Sequence, residues 1–310
     1  MRTEEQELII QTIRSGTVTH RDMVIVPATI DRNRKALRVY NNSYNDALEK
    51  DIMTDQMLEH WMIENNLLPM NFLVRRDQLT KQLENLKVEL FEKNGSKAAV
   101  KQIKKTLKGA RQALADLLQP KTEYTQNTCE FIANMAKIVY VLKHTVYKRG
   151  KKYRFSNYEK IVNWWQTSLL SESEIRAVAR SPIWKSLWAS KGYGFKLFVT
   201  RKNADMTINQ KNLVTWSRVY DNVHESMDAP TDRVIEDDDM LDGWFIVQSR
   251  KREKDQTQSE AEKLMGKSSS MQDATHVMIN RAYDNIDIDE LNNGMKAPDL
   301  EQSLKQTTGR

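Results

Sequence analysis

The carboxylates of Glu236-Asp-Asp-Asp239, with Asp242 one helical turn on, crowd more closely than any others in the sequence. Carboxylates this close can shift one another's acidity or share a divalent cation. Three readings fit the run: the N-terminus of a helix continuing through Trp244, where acid offsets the macrodipole; an acidic surface that docks a protein; or a cation site. It is not an EF-hand, because the alternating ligand spacing and the loop glycine are missing. Asp284, Asp287 and Asp289 form a second acidic set that also fails that template. The five histidines, His20, His60, His144, His224 and His276, never approach one another at helical ligand spacing, and Cys129 stands alone. Histidine- and cysteine-based metal sites and disulfides therefore have no constellation to work with. No serine elbow, phosphate-cradling loop or kinase set of motifs is present. Gly192-Tyr-Gly194 reads as a turn, since no strand precedes it and no third glycine opens a helix. No catalytic residue is assigned from these motifs.

Two basic groups could lie along a phosphate backbone. Lys97, Lys101, Lys104, Lys105, Lys108 and Arg111 make a ladder on one helical face, but without interleaved aromatics and with Glu84, Glu89 and Glu92 on the facing helix, and a solvated face explains them better. The second group, Lys148, Arg149, Lys151, Lys152 and Arg154, does interleave Tyr147, Tyr153 and Phe155. A nucleic-acid-binding factor would use Lys101, Lys104, Lys105, Lys108, Lys148, Arg149, Lys151 and Lys152. Six of the seven tryptophans, Trp164, Trp165, Trp184, Trp188, Trp216 and Trp244, fall in one region. A core of that size rarely needs six, so one or two are expected to anchor a partner, because an indole buries much area at little entropic cost.

These residues need elements to position them, and apolar periodicity places mostly helices. A short amphipathic helix is expected over 4–14, a strand or extended arm over Met23-Val-Ile-Val-Pro27, and helices over 34–49 (Leu37, Tyr40, Tyr44 and Leu48 inward) and 55–65 (Leu58, Trp61 and Met62 inward). Leu79, Leu83, Leu86 and Leu90 form one seam; Val100, Ile103, Leu107, Ala110, Leu114 and Leu117 form another. Asn94-Gly95-Ser96 separates them, with Gly95 expected as a left-handed cap and Ser96 as an N-cap. Matched seams across a tight break predict an antiparallel helical hairpin, ended by Pro120. A helix follows over 125–148, and the basic cluster after it reads as a hinge or domain boundary. Shorter helices are expected over 171–180, behind the capping box Ser171-Glu-Ser-Glu174, over 207–220, and over 239–253 with Gly243 as a weak point.

The fold expected is mainly α: an N-terminal helical segment with a strand or arm (1–70), the hairpin and following helix (71–154), a tryptophan-rich helical unit (155–250) and a flexible tail (251–310). Across 310 residues, ten Gly and six Pro are too few turn formers for a many-stranded fold. The net charge of +6, from 48 basic and 42 acidic residues, is well short of a dedicated nucleic-acid protein. No apolar run is long enough to span a bilayer, and the acidic start Met1-Arg-Thr-Glu-Glu-Gln-Glu7 is unlike a secretory leader, so the chain is expected to remain in the cytoplasm, away from membranes.

Within the tryptophan-rich half, Arg180-Ser-Pro-Ile-Trp184 with Trp188, Leu213-Val-Thr-Trp-Ser-Arg-Val-Tyr-Asp-Asn-Val223, and Val234-Ile-Glu-Asp-Asp-Asp-Met-Leu-Asp-Gly-Trp244 followed by Arg250-Lys-Arg-Glu253 make a pattern. It resembles baseplate-hub or tail-assembly proteins of large tailed bacteriophages, as does a lysine-rich hairpin followed by Thr122-Glu-Tyr124 and an aliphatic helix. The resemblance implies a non-enzymatic virion component or assembly factor in the infected host's cytoplasm, with other tail or baseplate proteins or further copies of itself as partners and no cofactor. Interface residues expected on that reading are Trp184, Trp188, Trp216, Asp237, Asp238, Asp239 and Trp244.

Overall fold

The fold is described from a computed structural model, which covers residues 3–155, 157–193, 196–199 and 203–265. Most of the expected tail, together with Gly194, His276, Asp284, Asp287 and Asp289, lies outside the described residues. The fold is mainly α, with one small sheet. Helix α1 (Thr3–Ser15) buries Ile10 and Ile13 and ends at Gly16, whose positive φ of 62° suits glycine. Gln210 Nε2 and Pro27 Cγ crowd the place a Cβ would take at Gly16, each at 2.9 Å.

Strands β1 (Val18–His20) and β2 (Met23–Ile25) form a hairpin, then α2 (Ile30–Leu48) and α3 (Asp55–Glu64) follow, each N-capped by a threonine side chain. The inward face of α2 is not the predicted one. Ala36 and Ala47 are buried, while Leu37 and Leu48 are 53% and 45% exposed. The reason is its main neighbour, α6, which buries Cys129 and Ala133. Small residues on both helices allow close backbone approach, and the leucines are turned to the flanks.

The hairpin is present as α4 (Phe72–Glu92) and α5 (Lys97–Thr125), packed along one another, with Leu90, Ile103, Leu107 and Ala110 buried. Ser96 caps α5 through its side chain, but Gly95 has no left-handed φ, so the break needs no glycine on conformational grounds. Pro120 lies inside α5 instead of ending it. The missing N–H forfeits one helical hydrogen bond. Packing holds the last turns in place: Leu117 and Leu118 join Leu58, Met62, Leu68 and Phe72 in one apolar cluster, and Lys121 forms an ion pair with Glu59 of α3.

Helix α6 (Cys129–Thr145) leads straight into β3 (Val146–Lys148) and β4 (Lys151–Lys152). The basic cluster is therefore sheet, not hinge. The four strands run in the order β1-β2-β3-β4, all antiparallel, with Ile25 opposite Val18 and Val146. Strands this short carry no alternation of their own and cannot be told from loops until partners pair with them. Ile25, Leu142, Val146, Ile161 and Val162 make a core cluster that bridges the expected boundary at 154–155.

Next come α7 (Tyr158–Thr167), α8 (Glu172–Arg180), α9 (Pro182–Ala189), α10 (Ile208–Glu225), α11 (Asp232–Glu236) and α12 (Asp238–Met265). The Ser171/Glu174 capping box is formed, and Thr207 with Gln210 makes a second one. Ser181 ends α8 and caps α9, whose first residue is Pro182. Gly243 is a point of close packing, not of weakness: a Cβ there would collide with the Lys87 backbone carbonyl on α4. Residues up to Trp244 belong to one compact unit, and Phe245 begins a second.

Candidate interaction surfaces

The expected tryptophan anchors are mostly satisfied inside the fold, which corrects the partner-anchoring expectation for three of them. Trp184 is fully buried, and its Nε1 donates to Ser217 Oγ at 2.7 Å, a hydroxyl that in turn donates to the Leu213 carbonyl at 2.6 Å. Trp188 is buried too. Its Nε1 donates to Asp221 Oδ2 at 2.7 Å, and Lys191 Nζ lies 3.3 Å above the ring centroid. Trp244 is buried and donates to the Asp228 carbonyl at 3.2 Å. Trp216 is half-buried, with the Arg176 guanidinium 4.1 Å from its ring centroid. Sequence spacing cannot distinguish a core indole from an anchor, because both need the same helical face.

The acidic run is a helix N-terminus, as one reading held, but it is not a free docking surface. Asp237 precedes α12, and its Oδ1 accepts from the backbone N–H groups of Asp239 and Met240, both at 3.2 Å. Every one of the four aspartates is paired with a cation from another helix. Lys104 of α5 pairs with Asp237, and Arg111 of α5 chelates Asp239, with one of its two bonds at 3.2 Å. Arg180 Nη1 reaches Asp238 at 2.5 Å and the Tyr220 hydroxyl at 2.6 Å. Arg176, 3% exposed, donates to Asp242 Oδ1 at 2.8 Å, while Lys87 of α4 donates to Asp242 Oδ2 at 2.8 Å. Arg176 Nε lies 3.2 Å from Asp238 Oδ1 at an angle that makes an ion pair without a hydrogen bond.

Burial opposes the charge on Asp242, yet hydrogen bonds and charge from Lys87 and Arg176 outweigh it and hold the carboxyl below the usual aspartate range. Burial likewise disfavours charged Arg176, and its bonds to Asp242 override that. The network clamps α4, α5 and α8 to the start of α12. The exposed pairs contribute little, about 0–1 kcal/mol each. Arg176 matters more, because it is buried and shared by Asp238 and Asp242, and its removal leaves each carboxylate with a single cation, Arg180 and Lys87. No three His, Cys, Asp or Glu side chains come together as a metal site among the described residues.

The basic residues divide in the same way. Lys104 is engaged by Asp237, while Lys101, Lys105 and Lys108 remain exposed on α5. Lys148, Arg149, Lys151 and Lys152 come together with Arg21 where the two β-hairpins end side by side. Met23 pairs with Lys148, and the Arg149 N–H donates to the Asp22 carbonyl at 3.1 Å.

Apolar periodicity does not reveal one further surface. On α3, Leu58 and Met62 are buried as expected, but Trp61 is 37% and Met57 53% exposed. Met53, Gln56, Met57, His60, Trp61 and Glu64 line a shallow groove along that helix. Leu67, Met70 and Val74, at 41%, 80% and 59% exposure, continue the apolar surface in sequence into α4. The spacing of Met57 and Trp61 by four was the available signal, masked because Leu58 and Met62 repeat it one residue on. No family model, curated protein or solved structure matches this chain. No helix among the described residues is long and apolar enough to cross a membrane.

Proposed function

We propose that this protein is a non-enzymatic adaptor or assembly factor that docks other structural subunits, of the tail or baseplate kind implied by its resemblance to phage proteins. The observation that carries the reading is the groove along α3 on which Met57 and Trp61 stand exposed, followed in sequence by the exposed Leu67, Met70 and Val74. Exposed apolar surface of this sort is a feature of protein-binding sites, and an indole beside a flexible methionine is a favourable centre for one. The scaffold behind it suits an adaptor: α3 is held against α4 and α5 by the apolar cluster of Leu58 and Met62 with Phe72, Leu117 and Leu118, and by the ion pairs of Glu59 with Lys121 of α5 and with Arg76 of α4, the latter at 3.3 Å. The partner's matching surface would be apolar, so its affinity would depend weakly on salt.

The test is recovery of partners from the native source by the full chain and by a Met57→Asp/Trp61→Ser variant, with folding checked by circular dichroism. Recovery of identified particle subunits by the parent, lost in the variant, supports the proposal. Equal recovery by both, or recovery of nucleic acid alone, overturns it.

A further inference from the structure

We propose that the adjoining tips of the two β-hairpins form a sequence-independent binding site for the phosphate backbone of a nucleic acid. Arg21 sits in the β1–β2 turn, Arg149 and Gly150 form the β3–β4 turn, and Lys148, Lys151 and Lys152 flank it. Two of the five cations share one carboxylate, Asp22, which lies 3.3 Å from Arg149 Nε and 3.7 Å from Lys148 Nζ. Arg21, Lys151 and Lys152 are exposed and form no ion pair among the described residues. Contrast the acidic run, where every aspartate has a cation of its own.

The register makes the excess positive charge costly to the fold. Lys148 stands directly opposite Lys151 in the β3–β4 pair, and like charges facing each other across strands are destabilising. Arg149 also occupies a positive φ of 47°, a region that favours glycine, and its side chain is 82% exposed. A bound polyanion would relieve the repulsion. Aromatic rings lie within reach: Lys148 Nζ is 5.5 Å from the Tyr153 ring centroid, and His20 stands 5.7 Å from Trp164. An anionic membrane is the weaker fit, because no large apolar side chain is exposed on these strands to insert among acyl chains. This site is on a different element from the α3 groove and stands or falls independently of it.

Fluorescence anisotropy with labelled random-sequence duplex and single strand, across a salt series, tests the proposal on the full chain. Each phosphate neutralised contributes about 0.9 to the slope of log K against log salt on duplex, so four or five contacts predict a slope near −4. An Arg149→Gln/Lys151→Gln/Lys152→Gln variant removes three of these contacts, and its slope should fall to about −1 with affinity reduced at least tenfold. Lys101→Gln/Lys105→Gln/Lys108→Gln on α5 should leave both unchanged. Neutralising Lys151 alone to Thr should also raise the melting temperature, which shows the variant is folded and that the repulsion is real. No binding at low salt, binding unaffected by the hairpin variant, loss confined to the α5 variant, or binding to phosphatidylserine vesicles tighter than to duplex or single strand and lost in the hairpin variant would overturn the proposal.

Discussion

Replacing Gly243 by alanine should weaken the protein, although alanine is the better helix former. Gly243 lies in α12, and in an unconstrained helix the exchange would gain about 1 kcal/mol. At this position the new Cβ would meet the backbone of Lys87, with the Lys87 carbonyl carbon at 2.7 Å and Phe91 Cβ at 3.0 Å. The obstacle is main chain inside α4, so it cannot rotate away as a side-chain tip would. Overpacking of a rigid contact costs about 1–3 kcal/mol, and the upper end applies to a main-chain obstacle, leaving a net loss of about 2 kcal/mol after the helix gain. Urea denaturation followed by circular dichroism reads the difference, with Gly109→Ala as the control. Gly109 sits in α5 with no atom within 4 Å of its would-be Cβ, and its replacement should stabilise by about 0.5–1 kcal/mol. If Gly243→Ala proves as stable as the parent or stabilises like Gly109→Ala, α4 and α12 do not approach each other this closely.

Arg176→Met keeps the side chain's bulk but leaves Asp238 to Arg180 and Asp242 to Lys87, and loss of its charged hydrogen bond should cost about 1.5–3 kcal/mol in the same assay, whereas Lys104→Gln at the exposed end of the network should cost less than about 1 kcal/mol. The pH dependence of Asp242 has a definite sign. Its carboxyl is held below the unfolded value, so its stabilisation is fully present above about pH 4 and is lost as pH falls through the lowered folded value. The acid limb of a stability-against-pH curve should flatten in Asp242→Asn, and an unchanged limb would refute the assignment. Cys129 is fully buried, its thiol pushed up by burial, with Sγ 3.0 Å from the Ile52 carbonyl. It should resist a thiol reagent in the native protein and react at once in denaturant; rapid native labelling would contradict the packing of α2 on α6.

The parts of this fold that follow from periodicity were legible in the residues. The two leucine seams, Ser96 and the Ser171/Glu174 box predict helices that are present, because cap chemistry and apolar spacing act within a few residues. What depends on partners distant in the chain was not. Val146–Lys148 becomes a strand only because Met23–Ile25 lies beside it, and Pro120 stays helical only because α3 packs over that turn. The same limit governs the surfaces. The acidic run reads as a docking patch until Lys87, Lys104, Arg111, Arg176 and Arg180 are seen to reach it from other helices. Trp184, Trp188 and Trp244 read as anchors until Ser217, Asp221 and the Asp228 carbonyl are found holding their N–H groups. The open residues of α3 escape notice for the converse reason, since nothing local distinguishes an uncovered stripe from a covered one.

Site-specific photo-crosslinking tests the location of the docking surface most directly. A photoreactive residue at Met57 places the probe on the open face of α3, and one at Lys185 places it on the exposed side of α9, beside the buried Trp184 and Trp188. Cross-links to a particle subunit from position 57 and none from position 185 are the predicted result. Cross-links from position 185 alone would return the docking role to the tryptophan-rich half and contradict the assignment of that role to α3.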